Sequence, residues 1–559
     1  MKHLLIILFL ALLTACAGQQ ANIEAKQKPK APEDDTSQHV VAEKKEHESQ
    51  DSLYAQEVLV TGDRLNRASK VAADSIGMPM PSPRQIPPQD RENYHHFDDM
   101  TVQSVFKQPI STFSIDVDTG SYANMRRFLN NGQLPRKDAV RTEELINYFS
   151  YDYDAPDNLE TPFASHIELA PSPWNKDAHL LHIGLKGYEV PVKNRPAANL
   201  VFLLDVSGSM NSPDKIGLLK SALKLLSRQL NSDDRVSIAV YAGAAGTVLE
   251  PTPGNNQAKI AAALDQLSAG GSTHGSAGIH LAYQLAEQSF IKDGINRILI
   301  ATDGDFNVGT TNFEALKELV EKKREQGVSL TTLGFGTGNY NDHLMEQLAD
   351  VGNGNYAYID TIKEANKVLV EQMNGTLLTI AKDVKIQLEF NPNTVSEYRL
   401  IGYENRQLNE EDFNNDKVDA GDIGAGHTVT AIYEIVLKGN KGWLPESRYQ
   451  TSASTKQHGK ELAYLKIRYK KPDSDTSQLL TWPIEKNQIK DLNKVSDAFG
   501  FSAAVAGFGQ QLRGGTYLKE FGYDAIRDLA NQHKGNDAFG YRGEFVQLVS
   551  LAKSLDNQP

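Results

Sequence analysis

From residue 199 to about 373, short apolar runs alternate with segments whose apolar residues recur every three or four positions. The runs cover 200–204, 236–241, 297–301, 329–334 and 356–359, each the length of a strand. Helical periods lie between them. In one, Ile216, Leu219, Leu223, Leu226 and Leu230 share a face. Others fall near 257–267, 277–288, 313–326, 342–350 and 362–373. Strands alternating with helices of this length predict an α/β domain with a doubly wound, mostly parallel sheet. After Ile380 the period drops to two. Val384, Ile386, Leu388 and Phe390 alternate with Lys385, Gln387 and Glu389, and similar runs occur at 429–437 and 465–469. These predict half-buried antiparallel strands. Two earlier strand-like runs, 166–169 and 180–185, have no sheet of their own. The simplest arrangement pairs them with the later strands in one β-sandwich, with the α/β domain inserted between the halves. The segment 111–122 reads as a strand into a helix that runs through Arg127 and Leu129, with a second helix around 141–149. From about Asp491 helical patterns return, including Asp497–Leu512 and 544–555.

The first hundred residues change this picture. Residues 17 to about 95 are rich in Pro, Gln, Lys and Glu and show little apolar periodicity, which predicts a disordered tether before order begins near Phe97. One island at 57–61 reads as a short strand. At the start, Lys2 and His3 precede ten apolar residues, Leu4 to Leu13. That length fits a signal-peptide core and falls short of the ~20 residues of a membrane span. The following Leu13-Thr14-Ala15-Cys16 resembles the lipobox of bacterial lipoproteins. The resemblance implies lipidation of Cys16, which becomes the mature N-terminus, and Ala17 in the next place implies sorting to the outer membrane. Cys16 is also the chain's single cysteine, so neither an internal disulfide nor a cysteine metal cluster is available. The net charge of −13 argues against nucleic acid as a partner.

Candidate chemistry concentrates in the α/β region. Asp205-Val-Ser-Gly-Ser-Met210 follows the first apolar strand and precedes an amphipathic helix. A carboxylate and two hydroxyls at alternate positions of such a turn can aim oxygen at one point, and oxygen-only sites suit Mg²⁺, Mn²⁺ or Ca²⁺. Ligands of doubly wound sheets bind beyond the carboxyl ends of the strands, at the switch point. Two further loops are expected there: Gly270-Gly-Ser-Thr-His-Gly275 and Thr302-Asp-Gly-Asp-Phe-Asn307. This D-x-S-x-S run and the order of the three loops resemble the metal-ion-dependent adhesion site of von Willebrand factor A (VWA) domains, over about 197–375. The resemblance implies that Ser207, Ser209 and Thr273 give hydroxyl oxygens to the metal, that Asp205 and Asp303 anchor it, usually through water, and that a sixth position takes a partner's Asp or Glu. His274 is expected as an exposed loop histidine, and Asp305 and Asn307 as turn formers.

Other motifs are weaker. Asp116-Val-Asp118-Thr119 resembles the D-x-D motif of haloacid-dehalogenase phosphotransferases, but the threonine stands one place early and the downstream motifs are missing. A degenerate cation loop with Ser121, or carboxylates capping the following helix, are the alternatives, and capping is the commoner use. The run 412–422 has Lys417 and Ile423 where an EF-hand needs Gly and Glu, and is expected to be an acidic surface loop. His95 and His96 are expected in the tether. There is no G-x-x-x-x-G-K-[ST] loop, so no nucleotide partner is implied, and no H-E-x-x-H or G-x-S-x-G.

Across about 96–556, the runs 111–122, 140–149 and 303–307 resemble a family of bacterial VWA lipoproteins with a dedicated N-terminal segment and a C-terminal domain of unknown function. The expected division is a signal segment over 1–15, the tether over 16–95, and an N-terminal region with the first sandwich strands over 96–196. The VWA domain over 197–375, the sandwich over 376–488 and a helical region over 489–559 follow. The expected function is a lipid-anchored outer-membrane protein, periplasmic or surface-facing, binding a protein partner through a divalent cation. A metal-dependent hydrolase and a metal-independent envelope scaffold are the alternatives. No catalytic constellation accompanies the site, and a non-enzymatic role is expected.

Overall fold

The computed structural model describes residues 91–272, 275–304, 313–445 and 458–557. Cys16, the signal-like segment, the tether through residue 90 with its 57–61 island, Thr273, His274, Asp305 and Asn307 lie outside them. The strands are, in chain order, β1 (Gln103–Ser104), β2 (Ile110–Ser114), β3 (Phe163–Pro171) and β4 (His179–Gly187). Next come β5 (Ala198–Asp205), β6 (Arg235–Tyr241), β7 (Ala245–Pro253), β8 (Ile295–Thr302), β9 (Ser329–Phe335) and β10 (Tyr356–Ile359). After the α/β region follow β11 (Thr379–Phe390), β12 (Val395–Ile401), β13 (Ile423–Gly424), β14 (Thr428–Leu437), β15 (Glu461–Lys470) and β16 (Ser477–Glu485).

The middle group forms a six-stranded sheet of order β10-β9-β8-β5-β6-β7. Its pairs are parallel except for the edge pair β6–β7. Every residue of β5 and β8 is buried, as expected for strands covered by helices on both faces. On one face, Leu200, Phe202 and Leu204 pack with Leu219, Leu223 and Leu226. On the other, Val201 and Leu203 pack with Ile279, Ala282 and Ala286. The helix Leu218–Ser227 carries the apolar stripe legible in the sequence. It is preceded by a wide turn with i→i+5 bonds over Pro213–Gly217.

The remaining strands build the sandwich. One sheet runs β1-β12-β14-β4-β3, and in the other β11 pairs with β2, β13 and β15, with β16 beyond β15. Strands from before and after the α/β domain therefore share sheets: β4 pairs with β14, and β2 with β11. The inner faces meet in one core that includes Phe113, Leu181, Ile183, Leu388, Tyr433 and Leu465. On the outer face of the first sheet, Leu180, Ile401 and Ile432 pack against the helices Asp497–Leu512, Tyr523–Gln532 and Tyr541–Asp556. This explains why β14 is buried on both faces and why the helix Asp497–Leu512 is apolar nearly all round. Among the described residues no helix is long and apolar enough to cross a membrane.

Several sequence expectations are corrected. Contacts begin before Phe97: Glu92 pairs with Arg127 at 2.8 Å, and Tyr94 accepts from Asn124. His95 stacks on His343 and His96 bonds Asp138, so neither belongs to a tether. Asp116 and Asp118 cap no helix, since the helix Gly120–Asn130 has no side-chain cap. Both are buried and paired with Arg406 at 3.2 Å, and Asp118 also accepts from the Tyr356 backbone. Within 412–422, Asp412 closes a capping box with Asn409, whereas Asp422 has one oxygen sealed from solvent.

Candidate metal centre

The chain passes from β5 to β6 on one side while β8 lies on the other, so β5 and β8 flank the switch point of the sheet. Asp205 is the last residue of β5, and Asp303 directly follows β8. Both are fully buried. After Asp205 the chain makes a single tight turn over Gly208–Met210. Met210 drops into the apolar core and fixes that turn. Ser207 stays buried beneath it while Ser209 is exposed above. The two hydroxyl oxygens are 2.9 Å apart.

The second loop is tied to the first through backbone bonds, Gly208 N to Gly271 O at 3.0 Å and Gly270 N to Val206 O at 2.8 Å. These bonds bring the segment leading to Thr273 alongside the two serines. The third loop turns at Gly304, whose φ of +90° favours glycine. A Cβ there would collide with the backbone nitrogen of Asn341.

Both oxygens of Asp205 are occupied. Oδ1 accepts from Ser207 N at 2.8 Å, and Oδ2 accepts from the Thr302 hydroxyl at 2.9 Å and the Tyr241 hydroxyl at 3.3 Å. Burial pushes its carboxyl up to about 6, against the lowering effect of the bonds from Ser207 and Thr302. A carboxylate so engaged is held as an anchor behind the serines. Asp303 Oδ2 accepts from Lys215 Nζ at 2.9 Å. Sequence reasoning missed Thr302, Tyr241 and Lys215, because each reaches the site across space. Of the three, only Thr302 was foreshadowed, by its place in the third loop.

The donor set fits a hard divalent cation: two carboxylates and two hydroxyls, all oxygen, with Ser209 opening to solvent. Among the described residues no three His, Cys, Asp or Glu side chains gather as a cation cage. This set is lighter in charge than such a cage and relies on neutral hydroxyls, which leaves a bound cation attractive to a further anionic oxygen.

A parallel sheet with an antiparallel edge, and an Asp-Ser-Ser turn and an aspartate at its switch point, define a VWA-domain protein. Residues 199–372 match the model of the von Willebrand factor type A domain. Residues 88–182 match one described as von Willebrand factor, and 375–555 match the uncharacterized protein YfbK, C-terminal. The chain is 48% identical over 497 residues to the uncharacterized protein YfbK of Escherichia coli (strain K12), covering 88% of this chain and 84% of that one. The chain belongs to the YfbK family of bacterial VWA proteins. It is also 27% identical over 273 residues to inter-alpha-trypsin inhibitor heavy chain H3 of Mesocricetus auratus, spanning 45% of this chain and 30% of that relative. A solved structure of von Willebrand factor type A from Catenulispora acidiphila resembles it at 15% identity and a TM-score of 0.39, over 69% of this chain and 89% of that one. VWA domains commonly mediate protein interaction and often use a divalent cation at this place in the fold.

Proposed function

We propose that this protein binds a protein partner through a divalent cation, with Mg²⁺ the first choice and Mn²⁺ or Ca²⁺ its substitutes. Ser207, Ser209 and Thr273 would supply hydroxyl oxygens, Asp205 and Asp303 would anchor the ion, and a partner Asp or Glu would complete its coordination. The observation that carries this is the meeting of Asp205, Ser207 and Ser209 with Asp303 at the carboxyl ends of β5 and β8. The proposed place of action is the outer membrane, through a lipid on Cys16. The order Lys2, ten apolar residues, then Leu13-Thr-Ala-Cys16 supports that anchor.

Affinity capture from a membrane extract, with Mg²⁺ or with chelator, tests the function. Asp205→Ala is expected to abolish capture of divalent-dependent partners and to lower Mn²⁺ affinity at least tenfold, with the circular dichroism spectrum unchanged. Equal capture in chelator and in Mg²⁺ would sink the proposal. Labelled fatty acid incorporation in the wild type, lost in Cys16→Ser, tests the anchor.

A further inference from the structure

Lys215 reaches the candidate metal centre by a built route. It lies in the wide turn Pro213–Gly217, with its backbone N–H bonded to Ser212 O at 3.1 Å. Its side chain is 9% exposed, although lysine is rarely buried. The aliphatic stem runs across Gly336, directly after β9, where φ is +70°. A Cβ at Gly336 would collide with Cγ and Cε of that stem, so the glycine leaves a channel for it. At the channel's end Nζ lies 2.9 Å from Oδ2 of the fully buried Asp303.

A positive charge delivered by a tether into a buried oxygen site acts as a cation of fixed and high local concentration. A divalent ion entering the same site meets either an occupied carboxylate or a like charge at close range, in surroundings that screen poorly. The coordination of hard cations by Asp and Ser oxygens leaves no ligand role for an ammonium.

We infer that Lys215 is an internal counter-cation of the metal site. It satisfies Asp303 without a metal and raises the free divalent concentration needed to fill the centre. The site is thereby set as a threshold device: the fold does not depend on the ion, and partner binding switches on only where the ion is abundant. This inference rests on the cation-centre reading above.

The test uses the full-length purified protein and Mn²⁺ as the probe, with binding followed by electron paramagnetic resonance and by calorimetry. Lys215→Met keeps a stem over Gly336 and removes the charge. It is expected to bind Mn²⁺ at least tenfold more tightly than wild type. In chelator it is expected to melt at a lower temperature than wild type and to recover on adding Mn²⁺, whereas wild type changes little. Lys215→Gln and Lys215→Arg repeat the contrast should the methionine variant fold poorly, with the glutamine variant binding more tightly and the arginine variant no tighter than wild type. Unchanged or weaker Mn²⁺ affinity in the uncharged variants, with wild type binding normally, would overturn the role of Lys215 alone. Folded wild type and variants that all ignore millimolar Mn²⁺ would overturn the cation centre itself.

Discussion

Asp422 shows how a single side chain can carry a pH dependence far from the site. Its Oδ1 accepts from Asp383 N at 3.2 Å, while Oδ2 is sealed and finds no hydrogen-bond partner among the described residues. Burial pushes its carboxyl up to about 7. Because the folded state holds this proton more tightly than the unfolded chain, the associated stability is full below about pH 4 and is lost as pH rises through about 7. An asparagine mimics the protonated acid. Asp422→Asn should match wild type near pH 4 and exceed it at pH 8 by on the order of 2–4 kcal/mol, the upper end being about three units at 1.36 kcal/mol each. Urea unfolding at the two pH values checks this; a gain that is the same at both would contradict it. The sequence placed this residue in an acidic surface loop, because composition shows charge but not which oxygen the fold seals. At the candidate metal centre the contrast is similar. Asp205, Ser207 and Ser209 were legible because they alternate along one turn, and Asp303 because it follows the neighbouring strand. Lys215 and Tyr241 were not, since their distance to Asp303 or Asp205 is set by packing alone.

Among the elements, the helix Gly275–Gln288 meets the sheet through a glycine. A Cβ at Gly278 would lie 2.8 Å from Tyr241 Cβ, and Tyr241 in turn donates to Asp205. The glycine therefore sets the helix-to-sheet distance beside the site. Gly278→Leu is expected to destabilise the domain by about 1–3 kcal/mol through overpacking. It should also weaken Mn²⁺ binding by displacing Tyr241. Chemical denaturation and a Mn²⁺ titration read the two effects, and a leucine variant with native stability would show that the helix can move without cost. Two of the strands that periodicity missed share a cause. β7 contains Gly246, Pro251 and Pro253, and β16 contains Pro483. Both are edge strands, where proline is tolerated and half the surface faces water, so neither shows a strand's alternation. Central strands such as β5 and β11 were legible because burial on one or both faces writes itself into every position.

For the whole molecule, the joint between the VWA domain and the sandwich contains a buried ionic layer. Arg406 meets Asp116 and Asp118 of the N-terminal region at 3.2 Å, and Glu346 and Asp350 of the helix Asp342–Val351 at 3.3 and 2.6 Å. Arg141 joins Glu144 to Asp342 in the same layer. Two guanidiniums thus bind carboxylates from three parts of the chain. Removing one cation leaves several buried carboxylates uncompensated, and Arg406→Met is expected to cost about 3–5 kcal/mol. A urea midpoint unchanged by that substitution would show that the joint is held by apolar packing instead. None of these partners was legible as such. Asp116 and Asp118 drew notice as a motif, but an ion pair across 290 positions leaves no trace in local pattern. The insertion itself was legible, because strands of period two without neighbours had to find partners elsewhere.

That insertion also sets an order in time. Lys186 of β4 pairs with Thr428 of β14, 242 positions later. Wherever the chain emerges N-terminus first, from the ribosome or across a membrane, the first half of the sandwich waits for its partner strand to appear. Throughout that interval the VWA domain can close its own sheet, while β3 and β4 keep an open edge. The VWA domain is therefore complete first, and the body that carries it is the last to be sealed, which makes the nascent sandwich the stage at which a holding factor has most to protect.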